Sequence, residues 1–163
     1  MLCSVRRASK EDLDEILRVY NEGIEDRVAT LEANPKSRAD LEDWWGQHDE
    51  PYSVLVAFDG DVAVGWASLN RFSHRCAHST IADLSVYVAR SHRGRGVGTM
   101  LLAKLADEAM GGGFHKVVLH ALNENKHGKR LYQKSGFREV GVFKEHAKLD
   151  GRYVDVVAME RLL

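Results

Sequence analysis

Arg93-Gly94-Arg95-Gly96-Val97-Gly98 is the stretch that decides the fold. It lies between the alternating run Leu84-Ser85-Val86-Tyr87-Val88, read as a strand, and a helix predicted to start near Thr99. Three glycines in six residues let the backbone turn tightly and present consecutive N–H groups. Those groups then meet the positive end of a helix dipole, which makes an anion site. Arg93 and Arg95 add charge, and a pyrophosphate is the natural guest. Two other phosphate-binding loops fit less well. A dinucleotide fingerprint needs an early βαβ unit and an acid closing the second strand. Here three antiparallel strand candidates come first, and the strand after the helix ends in His120-Ala121. A Walker loop needs Gly-Lys-Ser/Thr, whereas Gly98-Thr99 has no Lys. A glycine-rich turn that serves packing alone is the remaining alternative.

Working outward, Leu2–Arg7 reads as a short strand. Ser9 with Asp12 and Ser37 with Asp40 are capping boxes, in which a hydroxyl and an acid three residues on satisfy orphan helix N–H groups. The first precedes Leu13, Ile16, Leu17, Tyr20 and Ile24 at helical spacing; the second precedes Leu41, Trp44, Trp45 and His48. Between these helices Asp26–Lys36 is irregular and a candidate site lining. Tyr52–Phe58 and Asp61–Leu69 alternate about a turn placed at Asp59-Gly60. After a loop over Asn70–Ala77, a strand runs from Ser79 to Val88. The helix bearing Met100, Leu101, Leu105, Ala106 and Ala109 stops at Gly111-Gly112-Gly113. Lys116–Ala121 is a strand, Asn125–Ser135 a helix closed by Gly136, and two strands flank a turn at Asp150-Gly151. The order β-α-α-β-β-β-α-β-α-β-β, without repeats or linker, predicts one α/β domain over residues 1–163. Its sheet is mixed and mostly antiparallel, with helices on both faces.

Composition narrows the function classes. The 163 residues carry 23 Lys and Arg against 24 Asp and Glu, a formal charge of -1. That balance gives no electrostatic footprint for duplex nucleic acid or anionic membrane. Bases are bunched only at Arg90–Arg95 and Lys126–Arg138. Cys3 and Cys76 form no CxxC or metal spacing, which suits free thiols in a reducing compartment. No apolar run reaches the ~18 residues of a membrane span, and Met1–Arg7 lacks a signal-peptide core. The expectation is a cytoplasmic protein without metal: the eight histidines, His74, His78, His120 and His146 among them, show no HxxxH or Cys–His spacing and read as satisfied surface or core residues.

The chain resembles the GNAT acetyltransferases, whose loop Arg/Gln-x-x-Gly-x-Gly/Ala is matched by Arg93, Gly96 and Gly98 after Val86-Tyr87-Val88. More narrowly it is similar to the phosphinothricin and arsinothricin N-acetyltransferases and related amino-acid N-acyltransferases. That likeness rests on Tyr20-Asn21-x-x-Ile24, Thr30-Leu31-Glu32, Arg75-x-Ala77, Ser85-Val86-Tyr87-Val88, Gly113-Phe114, Asn125, Leu131, Gly136-Phe137, Val140-Gly141, Gly151 and Asp155-Val156. The resemblance implies acetyl-CoA as cosubstrate and a homodimer. It implies that the loop amides of Arg95, Gly96, Val97, Gly98 and Thr99 hold the pyrophosphate. The pantetheine arm would pair with main chain near Val86 and Val88, in a gap between the strand ending at Val88 and the strand Lys116–Ala121, with Asn125 touching it. Unpaired strand edges would satisfy such an amide-bearing arm as an added strand would.

Acyl transfer to an amine needs an unprotonated amine, a polarised carbonyl and a proton for the departing thiolate. An alkylammonium has a pKa near ~10, so a carboxylate must take its proton, directly or through water. By resemblance that base is Asp83, one methylene shorter than the branch's Glu, which favours a bridging water; alternatively Asp83 is a solvent-facing strand residue. Tyr132 falls where many GNATs carry the thiolate-protonating Tyr, though the branch often has His there; the alternative is a core aromatic. Arg75 matches a branch Arg suited to a substrate carboxylate, and Glu32 would orient the ammonium; both also read as solvated loop charge. Lys126–Arg138 either meets the coenzyme's 3′-phosphate or is a solvated helix face, and Trp44, Trp45 and Trp66 are core, with Trp66 a candidate pocket wall. Two departures, Gly128 for the branch's Ser and the hairpin Lys148-Leu149-Asp150-Gly151-Arg152-Tyr153, point to a different preferred amine. Acetylation of a protein Lys or N-terminal amine is the alternative reaction, and a non-catalytic acyl-CoA-binding module the alternative class, although a binder needs neither Asp83 nor Tyr132.

Overall fold

Period-two alternation from Ile81 to Val88 builds the strand around which the sheet is assembled: Ala82, Leu84 and Val86 are buried on one face, while Ile81, Asp83, Ser85 and Tyr87 are half-buried on the other. The computed structural model describes residues 3–27 and 29–163, so the expected strand start at Leu2 lies outside the described residues. The elements are β1 (Cys3–Arg7), α1 (Leu13–Asp26), α2 (Arg38–Trp45), β2 (Val54–Asp59), β3 (Val62–Arg71), β4 (Ile81–Val88), α3 (Val97–Gly111), β5 (Lys116–Leu122), α4 (Lys126–Lys134), β6 (Arg138–Leu149) and β7 (Arg152–Leu162). The predicted order holds. Among the described residues the sheet has seven strands in the order β1-β2-β3-β4-β5-β7-β6, and only β4 and β5 run parallel.

Both capping pairs are hydrogen-bonded. Asp40 N–H donates to Ser37 Oγ at 3.1 Å and Ser37 N–H to Asp40 Oδ2 at 2.8 Å; before α1, Ser9 N–H donates to Asp12 Oδ2 at 2.8 Å while Asp12 N–H goes to the Ser9 carbonyl at 3.0 Å. The apolar stripe of α1 puts Leu13, Ile16 and Val19 against Val54, Val56 and Trp66, with α2 alongside. Each such side chain stabilises the fold by roughly 1.5–3 kcal/mol. On the opposite face α3 covers Leu55, Ala67, Leu69, Leu84, Val86, Val117 and Leu119. Trp66, a core residue or a pocket wall by sequence, is core at 2% exposure.

Several sequence boundaries move: β4 starts at Ile81 rather than Ser79, β2 at Val54 rather than Tyr52 and α3 at Val97 rather than near Thr99. The β2–β3 pairs end at Asp59↔Val62, so Gly60-Asp61, not Asp59-Gly60, are the central turn residues. Gly60 takes φ 60°, the left-handed first position that favours glycine. His48 lies past the end of α2, and Asn70, expected to open a loop, continues β3 opposite Asp83. Among the described residues no helix is long and apolar enough to cross a membrane.

The β4–β5 seam positions the site. Pairing runs through Ile81↔Lys116, Ala82↔Val117 and Asp83↔Val118 and then stops, although β4 continues to Val88 and β5 to Leu122. Beyond Asp83 the two strands diverge, and the β4 edge from Leu84 to Val88 that faces β5 has no ladder partner.

Candidate active site

The glycine loop leads from the open end of β4 into α3. Gly94 and Gly96 take φ 74° and 86°, a left-handed backbone that side chains disfavour by about 1–2 kcal/mol. Nothing lies within 4 Å of a Cβ placed at either, so the loop backbone faces open space. The first backbone bond of α3 runs from Met100 N–H to the Gly96 carbonyl at 3.1 Å. Val97, Gly98 and Thr99 therefore offer N–H groups with no helical acceptor. Gly98 serves packing: a Cβ there would meet Leu131 at 2.8 Å. Arg95 is exposed and makes no ion pair among the described residues.

Arg93, expected to add free charge, is held from behind. Its Nε donates to the Val88 carbonyl at 3.1 Å and its Nη1 to Asp26 Oδ2 at 2.5 Å. Arg90 binds the same carboxylate at 2.8 Å. These two arginines hold the Asp26 carboxyl down at about 2. The stabilisation is complete above the ordinary carboxylate range, near ~4, and is lost as pH falls towards 2. Asp26→Asn is expected to loosen the loop and weaken acetyl-CoA binding roughly fivefold, about 1 kcal/mol for a half-exposed pair. Calorimetry that shows unchanged affinity rejects the anchoring role. Gly96→Val is expected to cost more, because it combines left-handed strain with a side chain on the expected path of the cofactor's phosphates. The variant is predicted to melt as a folded protein yet bind acetyl-CoA at least tenfold more weakly, about 1.4 kcal/mol; unchanged affinity by calorimetry places the phosphates elsewhere.

Asp83 and Tyr132 flank the seam from opposite faces. Asp83 sits on the last paired rung, 30% exposed, on the α1–α2 face. Its Oδ2 accepts from Asn70 Nδ2 at 3.3 Å, and its Oδ1 lies 3.9 Å from His120 Nδ1. Asn70 also donates to Ser85 Oγ at 3.1 Å, while its Oδ1 accepts from Ser68 Oγ at 2.9 Å and lies 2.9 Å from His48 Nε2. His48 Nδ1 is 2.7 Å from the Trp44 carbonyl. Turned the other way, the Asn70 amide would face the Asp83 carboxylate oxygen to oxygen, so this network fixes the carboxylate's orientation.

Tyr132 lies on α4, packed against the α3-side core and edge-on to Phe137 at 6.0 Å. Burial pushes its phenol pKa up, and the neighbouring Tyr87 phenol and Asp83 carboxylate add to that push. Its hydroxyl therefore keeps its proton across the working pH range.

Tyr20, Tyr87 and buried Thr30 form an aromatic and hydroxyl cluster on the Asp83 face, with Tyr87 stacked on Trp66 at 4.8 Å. Burial pushes the Tyr87 phenol up to about 12. Glu32 is exposed, bound to Lys36 Nζ at 3.0 Å, and its charge reaches both phenols. Arg75 is exposed on the β3–β4 loop, its N–H donating to Ser73 Oγ at 3.1 Å. Asn125 caps α4, its Oδ1 accepting from Gly128 N–H at 2.9 Å. Gly128 makes that possible, since a Cβ there would sit 2.5 Å from the Asn125 amide nitrogen. The structure thus brings Asp83, Tyr132 and the glycine loop to one seam, with Glu32 beside the tyrosines. Asn70, Ser85 and His48 are the members sequence reading missed. Among the described residues no group of three or more His, Cys, Asp or Glu is placed to hold a metal ion.

Acetyl-CoA fits what is present: open backbone N–H groups for a pyrophosphate, then an unpaired strand edge for an amide-bearing arm. Comparison with known proteins agrees. The acetyltransferase (GNAT) family profile matches residues 12–137. The phosphinothricin N-acetyltransferase of Streptomyces coelicolor is 31% identical over 98% of this chain and 95% of its own. An L-methionine sulfoximine/L-methionine sulfone acetyltransferase of Pseudomonas paraeruginosa is 29% identical over 98% and 94%. The crystal structure of a GNAT superfamily phosphinothricin acetyltransferase from Sinorhizobium meliloti in complex with acetyl-CoA superposes with a TM-score of 0.94 at 28% identity, covering 100% of this chain and 89% of that one. With its glycine loop, its split seam and the family profile in agreement, this chain belongs to the GNAT acetyltransferase family.

Proposed function

We propose that the protein transfers the acetyl group of acetyl-CoA to the primary amine of a small amino-acid-like acceptor of the phosphinothricin or methionine sulfoximine kind. The observation that carries this reading is the seam: β4 and β5 part just beyond Asp83, with Asp83 on one face and Tyr132 on the other. Relatives named for such acceptors match it along nearly the whole chain.

In this reading Arg95, Gly96, Val97, Gly98 and Thr99 hold the pyrophosphate through backbone N–H groups, with Arg93 bracing the loop. The β4 edge at Val86 and Val88 and the Asn125 amide hold the arm. Acetyl-CoA supplies the thioester. Asp83 receives the amine proton, directly or through water, and Tyr132 donates to the departing sulfur. Arg75 grips the acceptor's carboxylate and Glu32 faces its ammonium.

The experiment is thiol release from acetyl-CoA across phosphinothricin, methionine sulfoximine, free amino acids, polyamines and Lys peptides. Release with the first group supports the proposal; release with Lys peptides alone moves the acceptor to protein amines. Absence of acetyl-CoA binding ends it.

The reading also includes a cytoplasmic homodimer built as a single domain over residues 1–163. Strand β6 forms a sheet edge, with Val140 53%, Phe143 46% and Tyr153 on β7 61% exposed. Such an edge is an aggregation liability unless covered. Sedimentation at micromolar protein is expected to give twice the chain mass, and a strictly monomeric mass removes this part.

A further inference from the structure

The ladder between β4 and β5 ends at Asp83↔Val118. The next residues on the same face are Ser85 on β4 and His120 on β5, which stand opposite each other where the strands have parted. With about 3.3 Å of rise per residue, this rung lies roughly 7 Å beyond Asp83. It is also the level at which the β4 edge first becomes free to pair with an arm, next to Val86. His120 alternates with Leu119 and Ala121, both buried against the α3 side, so its ring projects from the Asp83 face and is 37% exposed.

Asp83 is not free to reach that level. Its Oδ2 is held by Asn70, itself fixed by Ser68 and His48. Its Oδ1 is left facing His120 Nδ1 at 3.9 Å, within ion-pair range and longer than a hydrogen bond. On the far side of His120 stands Phe143 of β6 at 6.2 Å, backed by His146 stacked on it at 4.4 Å. Neighbouring β7 places uncharged Ala158 opposite. Asp83 lies beside the ring and His146 behind Phe143; one same-face position further along β7, Glu160 is held by Lys116 and Arg138.

We propose that His120 is a catalytic base of this enzyme, taking the acceptor's proton on Nε2 while Asp83 orients it through Nδ1. This deepens the role given to Asp83 above and rests on it: the imidazole replaces the bridging water that the short Asp side chain called for. Imidazole changes charge between about pH 5 and 8 and works in such a pair as base and then acid. The ammonium gives one proton to Nε2, which passes it to solvent. The freed nitrogen pair attacks the thioester carbon; the C–N bond forms and the C–S bond breaks. Tyr132 gives its proton to sulfur, and the second proton leaving nitrogen replaces it.

The test compares His120→Ala, His120→Gln and Asp83→Asn for thiol release, each checked for wild-type melting and acetyl-CoA affinity. The expected result is a loss of about 10²–10⁴-fold in kcat/KM for both His120 variants, with added imidazole restoring part of the rate to His120→Ala only. A second readout needs no turnover. Carbethoxylation mapped by mass spectrometry is expected to modify His120 in the free protein, and CoA with phosphinothricin or methionine sulfoximine to protect it, while exposed His115, beside Thr80 at the far end of the ladder, stays reactive. If both His120 variants stay within about threefold of wild type while Asp83→Asn collapses, Asp83 acts without His120 and the proposal falls alone. If all three retain activity, the assignment of the base to this cluster falls with it. Absence of protection at His120 also overturns the proposal.

Discussion

Asp83→Asn is expected to lower turnover by about 10²–10⁴-fold at neutral pH while leaving acetyl-CoA affinity unchanged. The substitution keeps size and keeps an oxygen that can accept from Asn70, whose Nδ2 now donates to the carboxylate at 3.3 Å. The network that includes Ser68, Ser85 and His48 therefore has no reason to collapse. What is lost is the negative charge at the last rung of the seam. In the wild type the amine must shed a proton, so the rate rises with pH as the accepting group becomes unprotonated. Removing the charge flattens or displaces that limb. A variant with the wild-type pH profile and less than about threefold loss would return Asp83 to a structural role and leave the base to be sought at His120 through its own variants and then at Glu32.

Tyr132→Phe is expected to fail differently. The ring remains against Phe137 and the α3-side core, so folding and acetyl-CoA binding should persist. Burial raises the phenol's pKa, which keeps it protonated throughout any range in which the enzyme is stable. Its loss should therefore slow turnover by about 10²–10⁴-fold with no change in the shape of the pH profile below ~10. A reduced rate whose pH dependence also shifts would mean that Tyr132 titrates during turnover, contrary to this assignment. A rate within about threefold of wild type leaves it as a packed aromatic.

Much of the architecture was legible because its signals are local. Both capping boxes, the glycine loop and the turn at Asp150-Gly151, where both residues take positive φ, follow from residue types at short spacing. The Gly60 turn slipped by one because Asp59-Gly60 and Gly60-Asp61 are both acceptable turn dipeptides, and the long-range β2–β3 register decides between them. Asn70 read as a loop start because Asn is depleted in strands; it is kept there by its partners across the sheet. The seam itself was expected only through family likeness. Alternation continues unbroken along both β4 and β5 past the point where they separate, so periodicity carries no mark of it. His120 illustrates the same limit. A lone histidine in an apolar strand reads as satisfied, and only the register shows that it stands where the ladder has ended.

The divided seam also has a mechanical consequence. Residues 3–88 supply β1–β4 and residues 116–162 supply β5–β7, so the sheet is two halves, each continuous in sequence. They are stitched directly by three rungs, where every other neighbouring pair of strands shares at least five. Further coupling passes through α3, which bridges from one half to the other, and through contacts such as Arg27 with Asp150 at 3.0 Å. A ligand arm lying along the free β4 edge would thus act as mortar as well as reactant, joining the halves where the protein's own hydrogen bonds give out. Substrate occupancy therefore adds to the mechanical integrity of the molecule at the seam.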